Sequence, residues 1–454
     1  MRIDKNTTIR LGDRNIVKIK IGDSVIWQKT TEPVVGPDYF YIESLGDGNT
    51  ISVINQGDGS TDNVTPTLEY STDKNTWNTI TFDWTNGEHT TELPVKLNTG
   101  GKMYFRNDTR KFSNSYNKYI TFSSSVSSNV GGDIRTLSNY LDVNNETKPQ
   151  SYMFYYLFNG NKKIVDASNL RLSYTTLAYC CYRYMFGGCT SLTTVPELPA
   201  TKLAGDCYTS MFNGCTSLTT APALPATTLA SYCYSNMFEG CESLTTAPAL
   251  PATTLVNECY RSMFVRCSSL TTAPALPATT LASSCYEYMF YGCTSLTTAP
   301  ELPATTLANY CYSSMFRGCT SLTTTPELPA TTLADYCYDS MFYGCTSLTT
   351  APALPATTLA SSCYYSMFYG CSSLTTAPAL PATTLADYCY QYMFYGFSKL
   401  NSITVYADDI SASDCTTEWL SGVASSGTFN NYGSATYTVD SPSGIPTGWT
   451  EVKS

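Results

Sequence analysis

Histidine is nearly absent: His89 is the only one in 454 residues. A chain with one imidazole has no His-activated nucleophile and few ligands for a zinc site. Charge is scarce as well. Asp, Glu, Lys and Arg make up 14% of the residues, 36 acidic against 26 basic, for a net charge of −10. That acidic balance argues against nucleic acid, which selects clustered Lys and Arg. No segment approaches the roughly 18 consecutive apolar residues that a membrane-crossing helix needs. The start, Met1-Arg2-Ile3-Asp4-Lys5-Asn6-Thr7-Thr8, has neither an apolar signal core nor a lipid-attachment cysteine, so no secretion signal is expected. With so little charge, Thr, Ser, Asn and Tyr must cover the surface.

What the chain has in abundance is repetition. Met-Phe recurs at Met185, Met211, Met237, Met263, Met289, Met315, Met341, Met367 and Met393, always 26 residues apart, which gives eight complete units. A period of this size is the signature of a solenoid. In Leu229 to Phe238, Leu, Cys and Met fall at i, i+4 and i+8, with Ala230, Tyr234 and Phe238 one position behind; this spacing predicts the two-row apolar face of a short helix. Positions between them vary among units, as in Ser231, Asn257, Arg261, Glu287, Asp335 and Gln391, and are expected in solvent. Gly240 and its equivalents stand where such a helix should stop in a left-handed residue. Arg266 breaks that column, predicting local strain or another cap. The other half, Leu218 to Thr228, carries Pro222 and Pro225. Proline cannot donate to a ladder, so a parallel strand is expected only over Leu218 to Ala221, and Thr227 or Thr228 is a candidate N-cap. Stacked units would share columns of Leu, Cys, Met and Phe.

Nineteen cysteines fall into two series, four residues before Met (Cys181 to Cys389) and four after it (Cys189 to Cys371), leaving Cys180 and Cys415 over. Residues eight apart on a helix are separated by about 12 Å, too far for a disulfide within a unit. Phe397 replaces the second Cys of the last unit, an exchange that packing tolerates. Buried reduced thiols are the favoured reading, with inter-unit disulfides and metal ligation as the alternatives.

The run Gly214-Cys215-Thr216-Ser217-Leu218-Thr219-Thr220, with a helix containing Met-Phe-x-Gly-Cys, resembles the BspA-like class of leucine-rich repeats, over roughly residues 157 to 400. Such repeats occur in surface proteins of gut and oral bacteria, in some protists and in phages of Bacteroides-type hosts. The Pro-rich residues between strand and helix depart from the commoner shorter form. The resemblance implies an interaction or adhesion scaffold without catalysis or cofactor.

Before the repeats, Ile9 to Trp27 alternates apolar and polar residues around two Gly-Asp turns and reads as a small β-unit. It resembles the N-terminal attachment segments of phage fibre proteins. Gly36-Pro37 ends a linker. Period-2 runs at Tyr39–Glu43, Thr50–Asn55, Thr67–Ser71, Trp77–Phe82, Thr91–Leu97, Lys102–Asn107 and Tyr119–Phe122 predict an antiparallel β-sandwich with Trp77 near its core. The loops Gly46 to Gly48 and Gly57 to Asp62 are read as turns rather than calcium loops, whose full ligand spacing they lack. Tyr156-Leu157-Phe158-Asn159-Gly160 looks like a degenerate repeat covering the first unit. Trp419, Leu420, Val423, Phe429, Ile445 and Trp449 should seal the last. The expected fold is therefore multidomain: an attachment segment (1–29), linker (30–37), β-sandwich (38–147), α/β leucine-rich-repeat solenoid (148–400) and C-terminal cap (401–454).

For catalysis, the array offers no His, and carboxylates such as Glu197, Glu301, Asp335 and Asp387 stand at scattered surface positions, so an enzyme is not expected. For binding, the residue after each Met-Phe is Tyr291, Tyr343, Tyr369 and Tyr395 in the C-terminal half, a row interrupted by Arg317. Exposed aromatics with polar tips suit sugar rings or a protein partner; shielding of the helix edge is the alternative reading. The repeated Thr pairs, Thr219-Thr220 to Thr375-Thr376, are read as packing. Two functions remain open. One is a phage virion fibre or decoration protein, joined to a virion structural protein through residues 1–29 and presenting the solenoid to a host surface protein or glycan. The other is a bacterial cell-surface or secreted adhesin. A homo-oligomer is compatible with both.

Overall fold

The computed structural model describes residues 38–59, 68–109, 112–113, 115–440 and 443–453, and the backbone of four strands between 9 and 28. The expected linker, residues 30–37, and the second half of the loop 57–62 lie outside the described residues. The four early strands, β1 (Ile9–Leu11), β2 (Arg14–Ile16), β3 (Lys18–Ile21) and β4 (Ser24–Gln28), form two antiparallel hairpins, as the alternation implies.

Next come β5 (Phe40–Ser44), β6 (Ile51–Gly57), β7 (Glu69–Ser71), β8 (Asn78–Thr79), β9 (Gly87–Glu92), β10 (Lys102–Arg106), β11 (Tyr119–Ser124), β12 (Ser128–Asp133) and, inside the first repeat-like segment, β13 (Ile164–Arg171). They make a six-stranded sheet, β13-β12-β5-β10-β7-β8, and a three-stranded sheet, β11-β6-β9. Alternate residues of β5 and β6 point inward. The sheets meet through Phe122, whose ring lies 5.4 Å from Phe40 and 4.7 Å from Phe105. Three elements differ from the sequence reading. The strand expected over Trp77–Phe82 is only the two residues Asn78–Thr79. The fifth strand lies earlier than expected, ending at Glu92, and β12 has no period-2 pattern because Gly131 and Gly132 sit against Tyr41 and the Tyr39 carbonyl, where any Cβ would collide. Trp77 is also corrected: it is half-buried on the outer face, 4.0 Å from the Arg106 guanidinium and edge-on to Tyr39.

The expected helices do not form. Among the described residues the one α-helix is α1 (Thr136–Asn139), outside the repeats, so the α/β expectation gives way to a β-rich chain whose repeats are built from turns. In the unit 229–241, Cys233 N–H donates to Ala230, Ser235 to Tyr232, Met237 to Tyr234, Glu239 to Asn236 and Cys241 to Phe238. These are overlapping four-residue turns advancing two residues at a time. The intervening N–H groups of Tyr234, Asn236, Phe238 and Gly240 donate instead to Cys259, Arg261, Met263 and Val265 of the next coil, at 2.8–3.1 Å. Every fourth residue, here Tyr232, Asn236 and Gly240, has a positive φ of 55–71°. For residues other than glycine that conformation costs roughly 1–2 kcal/mol, and it is offset by backbone bonds that engage every N–H from Tyr232 to Cys241. A helix repeats every 3.6 residues and would drift by about 40° at each four-residue step. The strict spacing of Leu229, Cys233, Met237 and Cys241 instead matches a period of four.

The same triplet of positive-φ residues counts the coils. It recurs from Tyr152, Tyr156 and Gly160 through nine Met-Phe coils to Asp414, Glu418 and Gly422, making eleven. Arg266 fills the third position of its coil with φ 57°, adopting the same conformation as the glycines instead of a different cap. The extended halves are shorter than expected, meeting as single parallel bridges such as Thr220 to Thr246 to Thr272; Thr228 bridges Lys202 rather than capping a helix.

Inside the coils, rings stack in two columns: Tyr208, Tyr234 and Tyr260 at 5.7–5.9 Å, and Phe212, Phe238 and Phe264 at 5.7 Å. All nineteen cysteines are free and buried. The reason for Cys in the second series is visible. Each of Cys189, Cys215, Cys241, Cys267, Cys293, Cys319, Cys345 and Cys371 donates its S–H to a Phe carbonyl one coil earlier, at 3.0–3.2 Å. It is a small apolar group with one weak donor at the right height.

Both ends are closed. The first coil's carbonyls have no preceding coil to bond them; the adjoining sheet supplies a donor to Leu157, the Phe122 N–H, and the Thr121 hydroxyl adds a second bond to Tyr156, whose carbonyl also closes a turn with Asn159. Phe158 stacks on Phe186 on one side and meets Phe40 and Phe122 on the other. The degenerate segment is thus a full first coil, itself covered by the sandwich. At the far end the expected cap begins with one more coil, where Cys415 continues the column of Cys389 and Trp419 replaces Met. A parallel sheet of β14 (Ser402–Val405), β15 (Gly427–Asn431) and β16 (Trp449–Lys453) follows. Trp419 donates from its ring N–H to the Gly444 carbonyl, and Thr416 to Ser443.

Burial decides two expected outcomes. The hydroxyls of Tyr234 and Tyr312 are buried without a hydrogen-bond partner among the described residues. Tyr234→Phe and Tyr312→Phe should therefore leave the urea midpoint unchanged or raise stability by up to about 1 kcal/mol, whereas Met289→Ala should cost about 2–5 kcal/mol. Burial also pushes the thiols up, to about 12 at Cys181, Cys259, Cys311, Cys319, Cys363 and Cys371. Since the thiolate is the reactive form, the folded chain should be inert to a thiol-disulfide reagent at mildly alkaline pH. In guanidinium all nineteen should react.

Candidate binding surface

Because coils repeat in register, a residue type placed once per coil becomes a line on the surface. The row after Met-Phe forms such a line. Tyr343, Tyr369 and Tyr395 lie face to face, 4.6 and 4.7 Å apart with planes within 2°. Arg317 continues it, its guanidinium 4.2 Å from the Tyr343 ring centre and 5.9 Å from that of Tyr291. All five are half-buried. The structure therefore brings the expected binding residues together, but it changes what they offer. Inner ring faces are covered by neighbouring rings, so a sugar ring cannot stack between them. Ring edges and hydroxyls, repeated once per coil, are what remains for a partner.

Sequence reasoning missed two neighbours of this row. Arg266, treated only as an irregular cap, lies exposed beside Tyr291-Gly292; its place in the glycine column next to the tyrosine column was the available signal. Asp339 accepts hydrogen bonds from the hydroxyls of Ser340 at 2.8 Å and Ser313 at 3.3 Å. No local motif marks it, because its setting is made by three successive coils.

The opposite, extended halves form grooves. One of about 500 Å³ lies between Thr194 to Pro199 and Thr220 to Pro225, and another of about 500 Å³ between Ala299 to Pro303 and Thr325 to Pro329. Glu197 lines the first, Glu301 and Glu327 the second. Asp335 and Asp387 instead accept the N–H groups of Ser361 and Ser413 in the next coil, which is a structural use. His89 sits in the sandwich, its ring bonded to Thr85 and 3.6 Å from Asp83. Asp47 is held below the usual carboxylate range by the N–H and hydroxyl of Thr99, which makes its loop a bonded turn. Among the described residues no group of three or more His, Cys, Asp or Glu could hold a metal ion, and no helix is long and apolar enough to cross a membrane.

Stacked coils of near-identical sequence with inward leucines in register define a leucine-rich-repeat protein. The family model of the BspA type leucine rich repeat region matches in six copies over residues 150–297, 209–349 and 312–414. That is more than half the chain, and the chain belongs to this family. No curated protein and no solved structure matches it.

Asp339 gives the surface a pH dependence. Burial raises its carboxyl from 3.8 to about 6 against the lowering effect of Ser340, Ser313 and Arg317. The folded chain then keeps a proton that the unfolded chain has lost, so stability should fall as pH rises from about 4 to about 6 and stay level above. Asp339→Asn should flatten that part of the curve in thermal melts across this range.

Proposed function

We propose that the chain is a non-enzymatic adhesion scaffold, displayed on a particle or cell surface, whose array is a solenoid presenting its coil edge to a host surface protein or glycan. The observation that carries this reading is the Tyr–Arg line, since a solvent-facing row of aromatics and an arginine is the composition of a binding surface. Membership of a repeat family commonly associated with surfaces and adhesion supports it. The finer assignment is a phage virion fibre or decoration protein. On that reading the hairpins of residues 1–29 attach to a virion structural protein, residues 38–147 form a sandwich domain, 148–400 the displayed repeats and 401–454 the distal cap. The doubled Gly-Asp pattern in the sequence of this segment is the feature that favours it over a bacterial cell-surface or secreted adhesin.

Mass spectrometry of purified virions from phages infecting Bacteroides-type hosts, alongside outer-membrane fractions of the hosts, tests the assignment. Many copies per particle are expected. Recovery from host envelopes alone would replace the virion reading with the bacterial adhesin.

A further inference from the structure

The array from Tyr174 to Gly396 contains five basic residues, Arg183, Lys202, Arg261, Arg266 and Arg317. Arg183 is paired with Asp206 at 2.9 Å, and Arg261 with Glu287 at 2.9 Å and Glu258 at 3.6 Å. No carboxylate among the described residues lies within ion-pair distance of the other three, in a chain of net charge −10. Two of these, Arg266 and Arg317, stand on the same coil edge. Arg266 donates its N–H to the Tyr291 carbonyl and Gly292 donates to the Arg317 carbonyl, at 2.7 and 2.8 Å. The order along the edge is therefore Arg266, Tyr291, Arg317, Tyr343, Tyr369, Tyr395, one residue per coil.

The surrounding acids are engaged elsewhere. Glu239, in the coil before Arg266, accepts from Asn213 and Asn236; Glu287 is held by Arg261; Asp339 is bonded by two serines and, though near enough to Arg317 to feel its charge, is not within ion-pair distance of it. An acidic protein that leaves two guanidinium groups unpaired, two coils apart and each beside a tyrosine, presents paired anion anchors. Beyond them the edge offers one phenol hydroxyl per coil. A surface that repeats the same donor at each step fits a ligand that itself repeats, which favours a polymer of sugars over a folded protein.

We propose that this edge binds an acidic polysaccharide, with carboxylate or sulfate groups at Arg266 and Arg317 and sugar hydroxyls along Tyr343, Tyr369 and Tyr395. The proposal rests on the adhesion reading above and names its ligand class.

The test measures binding of the full chain by interferometry to immobilised polygalacturonate, dextran sulfate and plain dextran. Binding to at least one of the charged polymers, weakened by salt, and none to dextran is expected; which charged polymer binds separates carboxylate from sulfate recognition. The double variant Arg266→Gln/Arg317→Gln should lose ten-fold or more in affinity with an unchanged melting temperature, Tyr369→Phe/Tyr395→Phe a few-fold, and Lys202→Gln nothing. Equal binding to dextran, no binding to either charged polymer, or an unaffected double variant would overturn the proposal. Host-cell adhesion is measured in parallel. Adhesion that persists in the double variant, or that protease but not glycosidase treatment of the cells abolishes, leaves the scaffold standing and removes the glycan; no adhesion by the wild type removes the scaffold itself.

Discussion

The backbone hydrogen bond from one coil to the next is the constraint on which the rest depends. In the turn-rich half of the nine Met-Phe coils, alternate N–H groups close a turn within the coil and the others reach a carbonyl 25 residues further on, a step of 27 from the first coil. Such a coil cannot satisfy its own backbone, so a single unit has no stable isolated form. Register follows from the same bonds, since slipping a neighbour by one residue would exchange turn-closing positions for bridging ones. The left-handed residues at every fourth position are the conformational cost of this arrangement, and the continuous Tyr, Phe, Met and Cys columns are its return in buried apolar area.

A ladder of this kind has polarity, and its two ends pose different problems. Carbonyls of the first coil have no preceding coil to donate to them, and strand β11 takes that place at Leu157 through the Phe122 N–H and adds a bond from Thr121 to Tyr156. Strand β12 also pairs in parallel with β13, so the sandwich sheet runs directly into the repeats. One apolar core then extends from Phe40 to Trp449. The two sheets carrying β11 and β12 thus act as an N-terminal cap for the coils, while the far end is closed by an atypical coil with Trp419 in the methionine column and a three-stranded parallel sheet.

Repetition also determines what the molecule can display. Because a substitution at one position in several units becomes a line, a few tyrosines convert a Thr- and Ser-covered surface into an aromatic edge. Face-to-face packing rigidifies that edge and removes the ring faces from use. Low overall charge matters here too: with few cations in the array, Arg266 and Arg317, which have no carboxylate within ion-pair distance among the described residues, stand out as local positive charges even though Asp339 lies near Arg317.

The sequence by itself determined the period, the columns, the buried thiols and the row of Tyr291, Arg317, Tyr343, Tyr369 and Tyr395, because each of these is a statement about residues that recur at one interval. It also contained the strict four-residue spacing of Leu229, Cys233, Met237 and Cys241, but spacing alone does not say whether a short apolar run closes its bonds within a helix or across coils. Tertiary structure decided that, since acceptors such as the Cys259 and Met263 carbonyls exist only once the next coil is in place. It likewise decided β12, where glycines are dictated by close approach to Tyr39 and Tyr41 rather than by any alternation, and the outward position of Trp77, held by Arg106. The eleventh coil was hidden because Trp419 replaces Met. The joining of Arg266 to the tyrosine row, and the burial of Asp339, are products of stacking and have no counterpart along the chain.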